Sequence, residues 1–124
     1  MKVVIAGSRH LNEKLIKPII MSMLNYIEST IKERFVFIEE IVSGGCRGID
    51  AVGEKIAEEL AIKLTKFEPN WNKYGKAAGP LRNKEMANYA DILVLIWDGK
   101  SKGSLSMKKE MKILNKLIYE VVLK

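Results

Sequence analysis

Short apolar runs alternate with longer stretches in which apolar and polar positions recur at helical spacing. The runs are rich in β-branched residues and predict five strands, at residues 2–6, 35–42, 62–68, 91–97 and 117–123. The run at 91–97 is the most apolar of the five, which indicates a central strand buried on both faces.

Between these runs, apolar residues recur every three or four positions and predict amphipathic helices. The first stripe extends from Leu15 to Ile31, and either Asn12 caps this helix or it begins near Lys17 with Pro18 in its first turn. The remaining helices are predicted over residues 48–61, 81–89 and about 105–115, with loops at 70–80 and 98–104.

The regular alternation of strand and helix predicts a single α/β domain over residues 1–124. The expected architecture is a three-layer, Rossmann-like open sheet, mainly parallel, with about five strands and helices on both faces.

Composition narrows the class of protein. The chain has 48% hydrophobic and 29% charged residues, which is typical of a globular domain, and one cysteine, which excludes an internal disulfide framework. The apolar stretch at the N-terminus is too short for a secretory signal, and no apolar run approaches the roughly 18 residues of a membrane span. We therefore expect a cytoplasmic protein without a membrane partner.

The net charge of +6 is unevenly distributed. Residues 99–124 hold seven lysines and two glutamates, so most of the excess charge lies in the last quarter of the chain. These lysines indicate either the solvated face of a terminal helix or a nucleic-acid-binding surface. Three of the four arginines lie instead in or beside glycine-containing turns, at Arg9, Arg47 and Arg82.

Four polar, glycine-containing segments follow the first four strands and should meet at one edge of a parallel sheet, where ligands bind in this architecture. Glycine turns expose backbone N–H groups, helix N-termini attract anions, and arginine adds positive charge. Together, the four segments therefore predict a phosphate site. Each glycine turn taken alone could simply be a tight turn. The candidate ligand-binding residues are Gly7, Ser8, Arg9, Ser43, Gly44, Gly45, Arg47, Gly48, Asp50, Trp71, Arg82, Asn83, Asp98, Gly99, Gly103 and Ser104.

Common fingerprints of other sites are absent from the sequence. There is neither a Gly-x-Gly-x-x-Gly motif nor a P-loop, and one histidine with one cysteine does not provide metal ligands, so no metal or cofactor is predicted. Cys46 as a nucleophile would need His10 as its base. Cys46 is better explained as a small residue in a tight turn, and His10 as a loop residue that at most contacts a ligand.

Together, these motifs resemble the SLOG superfamily, the Rossmann-like group of the Smf/DprA and LOG proteins, and within it the small YspA-like, or cpYpsA-related, branch. The resemblance rests on Gly7-Ser8-Arg9, the segment from Ser43 to Asp50, the segment from Trp71 to Asn83 with Met86, and Gly99 through Ser104. It implies a site for a nucleotide or a nucleotide-derived ligand.

Comparison with enzymatic LOG proteins, which hydrolyse nucleoside 5′-monophosphates, separates binding from catalysis. Arg82 precedes Glu85-Met86-Ala87 as in those enzymes, but Ser106 stands where their catalytic glutamate is expected. A serine cannot stabilise an oxocarbenium-like transition state. Hydrolysis would need another carboxylate, so the weak catalytic candidates are Arg82, Glu85 and Asp98, with Asp50 also considered.

The function expected from the sequence is therefore binding of a phosphorylated nucleotide or a nucleotide-derived small molecule. The alternatives are a nucleosidase-like enzyme with a non-standard carboxylate and DprA-like binding of single-stranded nucleic acid.

Two candidate residues have open roles. Asp50 either contacts a ribose hydroxyl or only interacts favourably with the dipole of its own helix. Trp71 either stacks on a base or packs on the protein as a lid. The exposed edge of the last strand and the apolar first helix would permit a homodimer.

Overall fold

The computed structural model describes residues 1–31, 37–45 and 48–123. Strands and helices alternate along these residues, with one extra short helix and a 3₁₀ turn before the third long helix. The elements are β1 (Lys2–Gly7), α1 (Glu13–Ile31), β2 (Glu40–Ser43), α2 (Ile49–Glu59), β3 (Lys63–Lys66), α3 (Trp71–Tyr74), a 3₁₀ turn (Gly75–Ala77), α4 (Ala78–Tyr89), β4 (Ile92–Trp97), α5 (Lys102–Ile113) and β5 (Leu117–Val122).

The five strands form one sheet in the order β3-β2-β1-β4-β5, and every pair is parallel. This confirms the predicted Rossmann-like α/β fold. After β1 the chain moves outward to β2 and β3 and then returns to β4 on the other side of β1. The strand order therefore reverses between β1 and β4, and such a reversal opens a crevice at the carboxyl ends of the strands.

The two faces of the sheet carry separate hydrophobic cores, because successive side chains of a strand point to opposite faces. On β1, Val3 and Ile5 pack with the apolar stripes of α1 and α2, whereas Val4 and Ala6 pack with α4 and α5. All six residues of β4 are buried, as expected for a central strand, and Trp97 at its end belongs to the second core.

Two glycines allow the turns beside the crevice to approach each other closely. Gly7 pairs with Ile96, and a Cβ at position 7 would lie 1.8 Å from the Ile96 carbonyl oxygen. Gly48 has φ of 76° and lies against the backbone of Arg9, where a Cβ would come within 2.6 Å. These glycines therefore have packing roles that do not depend on any ligand.

The second strand is shorter than predicted and begins later in the chain. The prediction covered residues 35–42, but β2 spans Glu40–Ser43; residues 37–39 are not strand, and 35–36 lie outside the described residues. The paired register of β1 with β2 starts at Lys2 and Glu40. Before it, residues 37–39 are joined to Met1 by two backbone hydrogen bonds, from the Glu39 N–H to the Met1 carbonyl and from the Met1 amine to the Phe37 carbonyl.

The predicted loop at 70–80 is largely helical. Asn70 begins α3, since its Oδ1 accepts a hydrogen bond from the Lys73 N–H, and α4 begins at Ala78 rather than Leu81. Pro80 lies in the first turn of α4, where its missing N–H costs no helical hydrogen bond. Likewise α5 begins at Lys102, inside the predicted loop at 98–104, so Gly103 and Ser104 belong to its first turn.

Across residues 1–31, 37–45 and 48–123, every helix is too short or too polar to cross a membrane.

Candidate functional site

A cavity of about 350 Å³ lies beyond the end of β1, beside the reversal of strand order. Four parts of the fold form its wall: the end of β1 with the turn that follows, the first turn of α2, the middle of α4, and the N-terminal half of α5. The lining residues are Ala6, Gly7, Ser8, Arg9, His10, Asp50, Arg82, Asn83, Met86, Ser101, Lys102, Gly103, Ser104 and Met107.

The cavity brings together half of the ligand-binding residues predicted from the sequence. Those in its wall are Gly7, Ser8, Arg9, Asp50, Arg82, Asn83, Gly103 and Ser104. Ser43, Gly44, Gly45, Gly48, Trp71, Asp98 and Gly99 are not among the lining residues. Arg47 and Cys46 lie outside the described residues. Ligand contact by any of the sixteen candidate residues stays a prediction.

Ser8 and Asp98 tie the end of β1 to the turn after β4. The buried Ser8 hydroxyl accepts a hydrogen bond from the Asp98 N–H and lies 3.0 Å from the Ser101 hydroxyl oxygen. The Asp98 carboxylate accepts from the N–H groups of Lys100 and Ser101 and from the Ser101 hydroxyl. These hydrogen bonds, helped by nearby His10, hold the pKa of Asp98 far below its usual value, so this carboxylate is ionised and organises the turn.

The N-terminus of α5 faces the cavity directly. Ser101 is its N-cap, and Lys102, Gly103 and Ser104 form the first turn. The first N–H groups of a helix have no intrahelical acceptor and carry partial positive charge, so this wall favours an anion.

Arg82 and Asn83 form the wall on the α4 side and connect it to neighbouring turns. Arg82 donates to the Gly44 carbonyl, lies 3.5 Å from the Phe67 carbonyl oxygen, and bonds the Asn83 side chain through Nε. The Asn83 amide in turn donates to the Gly103 carbonyl, at 3.3 Å. Arg82 therefore joins the ends of β2 and β3 as well as bringing positive charge to the cavity.

No family model matches this chain, and no curated protein matches it. Its fold is similar to that of a DNA-processing protein. The solved structure is that of DNA processing protein A (DprA) from Streptococcus pneumoniae, with a TM-score of 0.72 and 19% sequence identity. The match covers 99% of this chain and 50% of that chain, so the chain spans half the length of the DprA structure. At this identity the likeness shows the fold.

Within this DprA-like fold, Asp50 is the carboxylate that lines the cavity. It is 6% exposed and lies in the first turn of α2. A Cβ placed on Gly44 would be 3.0 Å from an Asp50 carboxylate oxygen and 2.6 Å from Arg82 Nη1, so the two charged groups lie side by side. In the first turn of α2, the negative charge of Asp50 also interacts favourably with the helix dipole.

The catalytic candidates predicted from the sequence lie in different parts of the fold. Glu85 is exposed on α4 and is not among the residues that line the cavity. Ser106 lies one turn into α5, and its hydroxyl is 3.3 Å from the Asn83 amide nitrogen. Of the carboxylates considered from the sequence, only Asp50 reaches the cavity wall.

Several cavity residues were missed or underrated in the sequence. His10 lines the cavity and lies 3.8 Å from the Asp98 carboxylate, and Ser101 and Lys102, which the sequence predicts as part of a loop but not as ligand-binding residues, also line it. Met107 follows Ser104 at a spacing of three, so the helical pattern of α5 places both on one face and could have identified it. In residues 1–31, 37–45 and 48–123, no group of three His, Cys, Asp or Glu side chains is arranged to hold a metal ion.

Proposed function

We propose that the protein binds a phosphorylated nucleotide, or a nucleotide-derived small molecule, in the cavity beside β1 and β4, and that it belongs to the YspA-like branch of the SLOG superfamily. The observation that carries the proposal is the convergence of the α5 N-terminus with Arg9 and Arg82 on one cavity. Backbone N–H groups and arginine forks are the donors that a phosphate group requires.

The remaining wall of the cavity suits the rest of a nucleotide. Ala6, Met86 and Met107 form an apolar part of the lining and are almost fully buried. Asp50 supplies an acceptor for a sugar hydroxyl beside this apolar surface. A concave site with an apolar wall and a few convergent polar groups is typical of small-molecule binding.

The proposed activity is binding without LOG-type hydrolysis, because Ser106 stands at the position where the catalytic glutamate is expected. Its hydroxyl lies beside the Asn83 amide and carries no negative charge. An oxocarbenium-like state would find no carboxylate from this position.

Two lysines at opposite ends of α5 provide a matched test. Lys102 lines the cavity in the first turn, whereas Lys112 is exposed in the last turn, roughly 15 Å away along the helix. We expect Lys102→Gln to weaken binding of AMP, ADP or ADP-ribose about 3- to 10-fold, and Lys112→Gln to leave it unchanged. Isothermal titration of the three proteins measures the difference, and ligand at 100 times its Kd should stabilise the wild type by about 2.7 kcal/mol.

The same pair separates an effect on binding from an effect on folding. Removing a positive charge from the first turn of a helix stabilises it slightly, while removing one from the last turn destabilises it. Weaker binding by Lys102→Gln would therefore accompany an equal or higher melting temperature. If none of these ligands binds, or if both variants bind like the wild type, the proposed phosphate position is wrong.

Binding of single-stranded nucleic acid is a second candidate, supported by the structural likeness to a DNA-processing protein and by the lysines in α5 and in the turn that follows it. The structure divides these lysines by their contacts. Lys108 pairs with Glu120 at 2.9 Å and Lys116 is bonded to three carbonyls, whereas Lys102, Lys109 and Lys112 are exposed.

This candidate makes a different prediction for the same variants. A strand held along α5 by its phosphates would lose affinity about equally on Lys102→Gln and on Lys112→Gln, and its affinity would fall steeply with salt. Fluorescence anisotropy with a labelled oligonucleotide at several salt concentrations measures both. Salt-independent binding, or no binding, would exclude this candidate.

A further inference from the structure

The short helix α3 presents two exposed aromatic rings beside the cavity. Trp71 is 54% exposed and Tyr74 is 45% exposed, and their spacing of three residues places them on one side of the helical turn. Two hydrogen bonds to Asn70 hold this turn. The Asn70 side chain accepts one from the Lys73 N–H, and the Asn70 carbonyl accepts the other from the Tyr74 N–H.

Trp71 is connected to the cavity through α4. The edge of its indole ring lies 3.5 Å from the position of a Cβ on Gly79, so the ring rests against that part of the helix. Gly79, Arg82 and Met86 follow one another at spacings of three and four, which places them on one side of α4, and the last two line the cavity. Trp71 therefore contacts α4 about one helical turn, roughly 5 Å along the helix axis, before Arg82 of the cavity wall.

Other exposed aromatic side chains of the described residues have different surroundings. Phe37 lies at the opposite edge of the sheet, where its carbonyl accepts a hydrogen bond from the N-terminal amine. Tyr26 packs edge-on against Tyr119, with ring centroids 6.0 Å apart. The rings of α3 are thus the exposed aromatic pair at the carboxyl edge of the sheet.

The segment that carries these rings is basic and lies between Glu68 and Glu85. Residues 69–84 contain three lysines and one arginine and no aspartate or glutamate. The Lys73 ammonium lies 5.1 Å from the centroid of the Tyr74 ring, so a positive charge accompanies the aromatic surface. Aromatic faces combined with cations are the combination that holds successive nucleotides.

We infer that Trp71 and Tyr74 form a second base-binding position, which takes the second nucleotide of a ligand whose first phosphate occupies the cavity. The inference rests on the proposed function, because the cavity anchors the first unit. The ligand class is then two or more nucleotides joined through phosphate, with one base stacked on Trp71 and the linking phosphate near Lys73. Such a ligand is either a dinucleotide or the end of a single strand.

The test compares 5′-phosphorylated dinucleotides with the matching nucleoside 5′-monophosphates, for all four bases. Stacking of one base on an aromatic side chain corresponds to roughly 5- to 150-fold in affinity. We expect the dinucleotide to bind within this range more tightly, Trp71→Ala to abolish the difference, and Trp71→Phe to retain most of it. Tyr26→Ala, which removes an exposed ring elsewhere, should leave the difference intact.

Fluorescence gives an independent readout, because the chain has two tryptophans and Trp97 is 5% exposed. Dinucleotides should quench the emission of exposed Trp71, while inorganic phosphate and ribose 5-phosphate should occupy the cavity without quenching it. If monophosphates bind and dinucleotides gain nothing, or if Trp71→Ala keeps the gain, the second position is refuted while the cavity proposal stands. If neither class binds, both proposals fall.

A 5′-phosphorylated octanucleotide distinguishes the two sources of this ligand. Equal affinity for dinucleotide and octanucleotide indicates a dinucleotide ligand. Tighter, salt-dependent binding of the octamer that still requires Trp71 indicates the end of a strand. In both cases loss of the gain in Trp71→Ala supports the second base position.

Discussion

Several polar side chains at the carboxyl edge of the sheet are engaged by neighbouring turns. The Ser43 hydroxyl bonds to Glu54 and accepts the Gly45 N–H, while Ser8 accepts the Asp98 N–H. Residues that resemble phosphate-binding serines in the sequence therefore hold turns together in the structure. In the proposed site, the backbone N–H groups at the start of α5 and the cationic side chains in the cavity wall would therefore meet the anion.

The first prediction at the residue scale concerns Ser8→Ala. The hydroxyl is buried, and without it the Asp98 N–H loses its acceptor, so we expect a loss of about 1–2 kcal/mol in the free energy of unfolding. Urea denaturation measures the loss. Ser22→Ala on the exposed side of α1 is the control and should change stability by less than about 0.5 kcal/mol. Equal stability of the two variants would show that the Ser8 hydrogen bond contributes nothing.

At the scale of elements, the basic C-terminal quarter separates into structural and exposed charges. Lys116, in the turn between α5 and β5, places its ammonium against the Ala87, Asn88 and Ala90 carbonyls at the end of α4. These are carbonyls that a helix C-terminus leaves without intrahelical donors. A lysine in this position satisfies them and also interacts favourably with the helix dipole.

We therefore expect Lys116→Met to destabilise the protein by about 1–3 kcal/mol. The methionine retains most of the apolar stem and removes the ammonium, so the change isolates the cap. Lys112→Met, at an exposed position of α5, provides the control and should have a much smaller effect. Thermal and urea unfolding measure the difference; a Lys116→Met variant as stable as this control would contradict the capping role.

At the scale of the whole molecule, three carboxylates with lowered pKa values make the stability of the fold depend on pH. Burial would raise the pKa of Glu40, but hydrogen bonds from Tyr89 and Thr65 and the charge of Lys63 outweigh it and lower the pKa. The ammonium of Lys108 lowers the pKa of Glu120, and backbone hydrogen bonds lower that of Asp98. Each folded-state pKa lies below its unfolded value, so each ionised group stabilises the protein above the unfolded pKa and less as pH falls through the folded one.

The third prediction follows from this sign. Stability should decrease as pH falls below about 5, because protons bind the unfolded chain more readily than the folded one. Glu40→Gln should reduce stability at neutral pH and make the acid-side decrease shallower, since Glu40 joins β2 to β3 and α4. Denaturation at several pH values tests this, with exposed Glu58→Gln as the control. If the stability of Glu40→Gln decreased at acidic pH as steeply as that of the wild type, the lowered pKa of Glu40 would be contradicted.

The sequence by itself determined the number, order and type of the main elements, because strands buried on both faces and amphipathic helices leave strong periodic patterns. The alternation of these elements was enough to predict a parallel sheet and to expect residues such as Arg9, Arg82 and Gly103 at one edge. The helical character of 71–77 was missed, since Asn70 and local hydrogen bonds fix that segment more than any apolar stripe does.

Only the tertiary structure decided which residues of that edge face a common cavity. Lys102 and Met107 enter the wall because α5 packs beside α4, whereas Gly44 lies against the Arg82 guanidinium and is not among the lining residues. These outcomes depend on contacts between elements distant in the chain, which local periodicity does not encode. For the same physical reason, Ser8 and Ser43 are engaged by turns that only the folded sheet brings together.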